Sequence, residues 1–117
     1  LVNFHRKHGK IATVTAVHPS ARFGSIEIAN DGAVSTFAEK PVSNQWVNGG
    51  FFVFDPRIFD YLTNDSILER GPLENLAQDS QLMAWQHQGF WHPMDTIRDS
   101  QHLNELWSKD CAPWKIW

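Results

Sequence analysis

The run Ile11-Ala12-Thr13-Val14-Thr15-Ala16-Val17 constrains this chain more than any other segment. It is rich in β-branched residues, whose stiff side chains suit a packed, pleated surface. Its apolar character reads as a strand buried on both sides. A buried strand needs helices on both faces. The expected class is therefore α/β.

The remaining elements follow from local signals. Asn30-Asp31-Gly32, between Ser25–Ile28 and Ala33–Phe37, predicts a β-hairpin. Gly50–Phe54 reads as a second apolar strand. Asp55-Pro56 predicts a helix to about Leu62, with Asp55 as N-cap and Pro56 at its first position. Ser66-Ile67-Leu68-Glu69 fits a capping box, but Gly71-Pro72 interrupts any helix there. Pro72–Gln78 predicts a short helix with Leu73, Leu76 and Ala77 on one face. Gln81–Gln88 reads as a strand and Gly89 as a turn. Asp95-Thr96 caps a helix from about Ile97 to Trp107, with Leu103, Leu106 and Trp107 as its stripe. His18–Gly24 is a loop, and Glu39–Gln45 an exposed polar connection.

Leu1–His8 reads as the end of an amphipathic helix, with Gly9 as its left-handed cap. No N-cap precedes it and no initiator Met is present, so the chain is expected to be a fragment beginning in mid-helix. A sheet made from such a piece leaves an edge uncovered, and the strand Ile11–Val17 is the expected open edge.

Bulk properties narrow the function classes. A net charge of −3 argues against a nucleic-acid-binding surface. No apolar run approaches the ~20 residues that span a bilayer, and the start has no signal-peptide pattern. The single cysteine, Cys111, cannot form an internal disulfide, which fits a reducing cytoplasm. Six tryptophans in 117 residues exceed what a small core hides, so some are expected to cover a partner or a further part of the protein.

Several residues could carry chemistry, and each has a plain alternative. Asp95 lies where a strand end meets a helix start, the usual ligand position in open α/β sheets, yet Asp95 or Thr96 could simply cap the helix. Pro41 is expected to hold Lys40 extended, but Glu39-Lys40-Pro41 also reads as an exposed charged turn. Asn48-Gly49-Gly50 lets a backbone approach a ligand, and equally makes a tight turn. Gly24 allows close approach or is an ordinary loop glycine. The pairs His5/His8 and His87/His92 lack the further ligands a zinc site needs, and Cys111 has no activating partner.

Taken in order, Glu39-Lys40-Pro41, Trp46-Val47-Asn48-Gly49-Gly50-Phe51-Phe52-Val53-Phe54, Gly89-Phe90-Trp91-His92-Pro93-Met94-Asp95-Thr96 and Ala112-Pro113-Trp114-Lys115-Ile116-Trp117 form a set. The set resembles the C-terminal, sugar-binding half of the sugar-1-phosphate nucleotidyltransferase family, in the branch that uses CTP and glucose 1-phosphate. The resemblance implies a Rossmann-like sheet with flanking helices and a β-hairpin. It implies a partial domain over residues 1–117, with the nucleotide-binding half, its glycine-rich loop and a second metal-binding aspartate before Leu1. The intact enzyme would form CDP-glucose and pyrophosphate, with Mg²⁺ as cofactor, to supply polysaccharide synthesis in the cytoplasm. Lys40 and Asp95 would be the catalytic pair, Asp95 holding the metal and Lys40 meeting the sugar phosphate. Glu39 would accept hydrogen bonds from sugar hydroxyls, Asn48 and Gly49 would contact the hexose, and Gly24 with Arg22 and Phe23 would pack beside it. The isolated piece is expected to be inactive and to form homo-oligomers. A thymidylyl- or uridylyltransferase piece, and a non-catalytic sugar-binding or assembly module, are the competing expectations.

Overall fold

A computed structural model of the chain describes residues 1–20, 24–42 and 44–117. These fall into two units, Leu1–His87 and Gln88–Trp117.

The first unit is built around β1 (Ala12–Val17). Neighbouring residues of a strand face opposite sides, and here both sides are covered. On one side Ala12 is buried with Ile11, Ile58 and Leu76, and Phe54, Tyr61, Leu62, Leu73 and Leu82 pack around them. These neighbours come largely from a 3-10 helix (Pro56–Tyr61) and from α2 (Pro72–Gln78). On the other side Thr13 is fully buried and meets His5 and His8 of α1 (Val2–His8). Helical residues thus reach Ala12 from one side and Thr13 from the other.

The strand order corrects one expectation. β1 is not an edge but the centre of a three-stranded sheet, with β4 (Val47–Phe54) on one side and β5 (Leu82–Gln86) on the other. β4 runs antiparallel to β1, and β5 runs parallel to it. Among the described residues the outer strands are β4 and β5. Pairing order depends on contacts far apart in sequence, which a reading of local runs does not contain.

A separate two-stranded hairpin joins β2 (Ser25–Ile28) to β3 (Val34–Ala38). Its turn is held by Gly32 N–H donating to the Ala29 carbonyl (2.9 Å) and Ala33 N–H to Asp31 Oδ1 (2.9 Å). This is the Asn-Asp-Gly turn expected from sequence. After β4, Asp55 Oδ1 accepts the Arg57 N–H at 3.0 Å, as an N-cap should, but the following turn tightens to 3-10 geometry instead of an α-helix. Around Ser66–Glu69 no helix forms: Ser66 Oγ accepts the Thr63 N–H at 2.7 Å, and the chain continues through an isolated Ile67–Arg70 bridge.

In the second unit, α3 (Ile97–Ser108) is the main element. Leu103 and Leu106 are half-buried, but Trp107 stays half exposed. Lys115 Nζ lies 5.2 Å from the centre of the Trp107 ring, and Trp114 packs on Phe90 at 5.7 Å, so the terminal segment folds back within this unit.

Candidate functional site

The turn into α3 is assembled by a reciprocal cap. Thr96 Oγ1 accepts the Asp99 N–H at 3.1 Å, and Asp99 Oδ2 accepts the Thr96 N–H at 3.1 Å. This is a capping box, which satisfies two backbone donors left open at the helix start. Asp99 also takes the Asp95 N–H on Oδ2 (3.2 Å) and His92 Nε2 on Oδ1 (3.1 Å). Hydrogen bonding from Thr96 outweighs the opposing pull of burial and, with Asp95 and His92, holds the Asp99 carboxyl below the usual carboxylate range.

In this arrangement Thr96, and not Asp95, is the N-cap. Thr96 and Asp99 make the cap, and Asp95 contributes only its backbone N–H. Its carboxylate is exposed and takes part in no hydrogen bond or ion pair among the described residues. Asp99 is the residue that sequence reading missed, although the Thr96-x-x-Asp99 spacing carried the signal.

In the first unit the hairpin brings Gly24 and Glu39 together. A Cβ on Gly24 would lie 3.3 Å from Glu39 Oε2 and 3.3 Å from the Ala38 carbonyl oxygen. The residue must stay small for Glu39 to keep its place. Glu39 and Lys40 follow β3 in an exposed bend, with no partner for either charged group among the described residues. Arg22 and Phe23, expected beside the sugar, lie outside the described residues.

Lys40 departs from expectation. Its φ is +43°, in the left-handed region, whereas the residue before a proline is expected to be extended. Left-handed backbone costs a non-glycine residue about 1–2 kcal/mol. The bend that turns the chain away from β3 overrides the local preference.

Asn48 and Gly49 lie at the start of β4, at a bulge. Val14 pairs with Phe52 but Ala16 pairs with Asn48, so four residues of β4 span two of β1. Gly50 supplies the φ of +85° that the bulge needs, and its N–H donates to Asn48 Oδ1 at 2.8 Å. Gly49 is buried, and a Cβ there would sit 3.0 Å from both the Thr15 carbonyl oxygen and Val17 Cγ1. The space a side chain would occupy is therefore filled by β1. Asn48 remains exposed.

The candidates therefore occupy the hairpin end (Gly24, Glu39, Lys40) and the β4 bulge (Asn48, Gly49) in the first unit, and the α3 turn (Asp95) in the second. An open depression on α3, lined by Gln101, Asn104, Glu105, Ser108 and Lys109, contains none of them. The histidine pair of α1, too poor in ligands for zinc, instead ties that helix to the sheet. His5 Nδ1 and His8 Nε2 lie 2.8 and 2.6 Å from the buried Thr13 hydroxyl. No helix among the described residues is long and apolar enough to cross a membrane.

Comparison with known proteins gives this geometry a family. The chain is 49% identical over 118 residues to a glucose-1-phosphate cytidylyltransferase of Salmonella typhimurium, covering 99% of this chain and 46% of that protein. It is 40% identical over 119 residues to a Bacillus subtilis protein named as a probable glucose-1-phosphate cytidylyltransferase, again covering 46% of it. The chain thus spans about half the length of these relatives; the matches give the share covered and not the end it comes from. A Bacillus anthracis crystal structure, provisionally named a glucose-1-phosphate thymidylyltransferase and determined with a sucrose, superposes with a TM-score of 0.59. That likeness covers 90% of this chain and 46% of that one at 21% identity, and it shows a shared α/β fold. The model of the family described as nucleotidyl transferase matches residues 1–91, and the chain belongs to that family.

Proposed function

We propose that this chain is the sugar-phosphate-binding half of an enzyme that joins glucose 1-phosphate to CTP. Its likeness to two proteins named as such cytidylyltransferases, over essentially its whole length, supports the substrate pair. The observation that carries the catalytic part is the Asp95 carboxylate, which has no partner among the described residues once Thr96 and Asp99 complete the cap.

In the proposed reaction an oxygen of the sugar phosphate attacks the α-phosphorus of CTP. A new P–O bond forms, the bond to the bridging oxygen breaks, and pyrophosphate leaves. Lys40, whose ammonium has no partner among the described residues, would meet the sugar phosphate. Glu39 accepts hydrogen bonds from sugar hydroxyls, and the missing side chain at Gly24 keeps the space beside that carboxylate open. Asn48 has its carbonyl oxygen committed to Gly50, so its role would fall to the amide NH₂ as a donor to the hexose. Gly49 acts at one remove, by letting β4 bulge.

Asp95 would hold Mg²⁺. The fit is to the kind of site that Mg²⁺ commonly takes, one or two carboxylates completed by substrate phosphates. Among the described residues no group of three or more His, Cys, Asp or Glu gathers as a closed cage. When bound, the ion supplies charge neutralisation where phosphate oxygens crowd together.

The test is Asp95→Asn in the whole protein that contains this chain. Turnover should fall by on the order of a hundredfold or more. Stability should stay within about 1 kcal/mol, because the cap is built from other residues. Near-normal turnover would reduce Asp95 to a loop residue.

A further inference from the structure

The capping box is complete with two bonds, one from Thr96 N–H to Asp99 and one from Asp99 N–H to Thr96. Asp99 makes two more contacts that helix capping does not require. One oxygen also takes the Asp95 N–H, and the other takes His92 Nε2. The His92 and Asp99 side chains are only 25% and 20% exposed. The His92 ring has Phe90 at 6.5 Å and His102 at 5.0 Å. The chain of contacts therefore runs from a partly buried ring, through a carboxylate using both oxygens, to the backbone of Asp95, whose own carboxylate has no partner among the described residues.

We propose that His92 is a positioning residue for Asp95, acting through Asp99 to fix the direction in which the Asp95 carboxylate is presented. This rests on the reading of Asp95 as a metal-holding group. His92 Nε2–H donates to Asp99 Oδ1 and orients that carboxylate. Asp99 Oδ2 then clamps two successive N–H groups, so the backbone at Asp95 cannot rotate without breaking a bond to a held acceptor. A carboxylate on a fixed backbone loses less freedom when it engages a cation; partners bonded directly to a ligating side chain shift metal affinity by about 10–100-fold, and this contact, one step further out, should act at the low end of that range.

The test compares His92→Phe, which keeps a ring and removes the donor, with His92→Gln, which restores an N–H. Two quantities are read: hydrogen exchange of the Asp95 N–H in this chain, and the Mg²⁺ concentration for half-maximal turnover of the whole protein. His92→Phe should speed the exchange and raise the Mg²⁺ requirement about tenfold, with the KM for glucose 1-phosphate unchanged. His92→Gln should bring both back toward the native values. Faster exchange with a native Mg²⁺ requirement would make His92 a helix staple and overturn the proposal; so would unchanged exchange. If Asp95→Asn itself left the Mg²⁺ requirement unaltered, the metal-holding reading would fall, and the positioning role with it. An effective Asp95→Asn beside a silent His92→Phe overturns the positioning role alone.

Discussion

Lys40 has a left-handed backbone and an ammonium that takes part in no hydrogen bond or ion pair among the described residues. Strained residues cluster where surroundings over-determine them for use. Replacing Lys40 by Gly removes the charge and relieves the φ. The variant should be at least as stable as the native protein, within about 1 kcal/mol, while the KM for glucose 1-phosphate rises more than that for CTP. Thermal melts and steady-state kinetics of the whole protein check the two halves. A KM increase confined to CTP would assign Lys40 to the wrong substrate. Backbone state was not legible here: Pro41 argues for an extended residue, and only the bend after β3 reverses it. The role of Gly49 was half legible. Its smallness is required, but the atoms that require it are the Thr15 carbonyl and Val17, 34 and 32 positions away in the chain.

Among the elements, α1 is attached to the sheet by polar contacts. Lys10 N–H donates to His8 Nδ1 at 2.9 Å, so in neutral His8 the proton is on Nε2, facing the Thr13 hydroxyl at 2.6 Å. Burial, His5 and Lys10 all lower the pKa of His8 from its ordinary 6.5. As pH falls through the ordinary value, the unfolded chain takes up a proton that folded His8 still refuses. This contribution to stability is full above about 6.5 and is lost as pH falls toward the depressed folded value. The melting temperature should therefore drop between pH 7.5 and 5, before the carboxylates titrate. His8→Gln, which keeps a donor and cannot charge, should flatten that drop. An equal slope in both proteins would clear His8. Elements of this size were mostly readable, because α2, the hairpin and α3 are signalled by Pro72, by Asn30-Asp31-Gly32 and by Thr96. The 3-10 turn after Asp55 reads as a helix from sequence: the cap is encoded locally, but the tightness of the turn is not.

For the molecule as a whole, the exposed apolar surface is concentrated on identifiable places. Cross-strand pairs Ile26–Phe37 and Ile28–Val34 leave the hairpin with four large apolar residues between 51% and 67% exposed. Trp117 is 79% exposed and Ile116 92%. Among the described residues β4 and β5 each have an unpaired edge, and such edges template association. The 117-residue chain should self-associate at micromolar concentration in sedimentation equilibrium, and Ile26→Lys with Phe37→Glu should reduce the association. A monodisperse native monomer would contradict this. The expectation of an open edge at Ile11–Val17 failed because composition says that a strand is buried and not what lies beside it.

The central place of β1 has a consequence for synthesis. In its parallel register, Ala16 meets Gln86. A ribosome delivering about 5–20 residues per second emits β1 roughly 4–14 s before that partner follows. During this interval the most buried of the described strands is outside the tunnel with at most one neighbour. Its earliest companion is β4, and the two can zip together as an antiparallel ribbon first. The parallel contact then closes last, so the order of assembly is written into the direction in which the message is read.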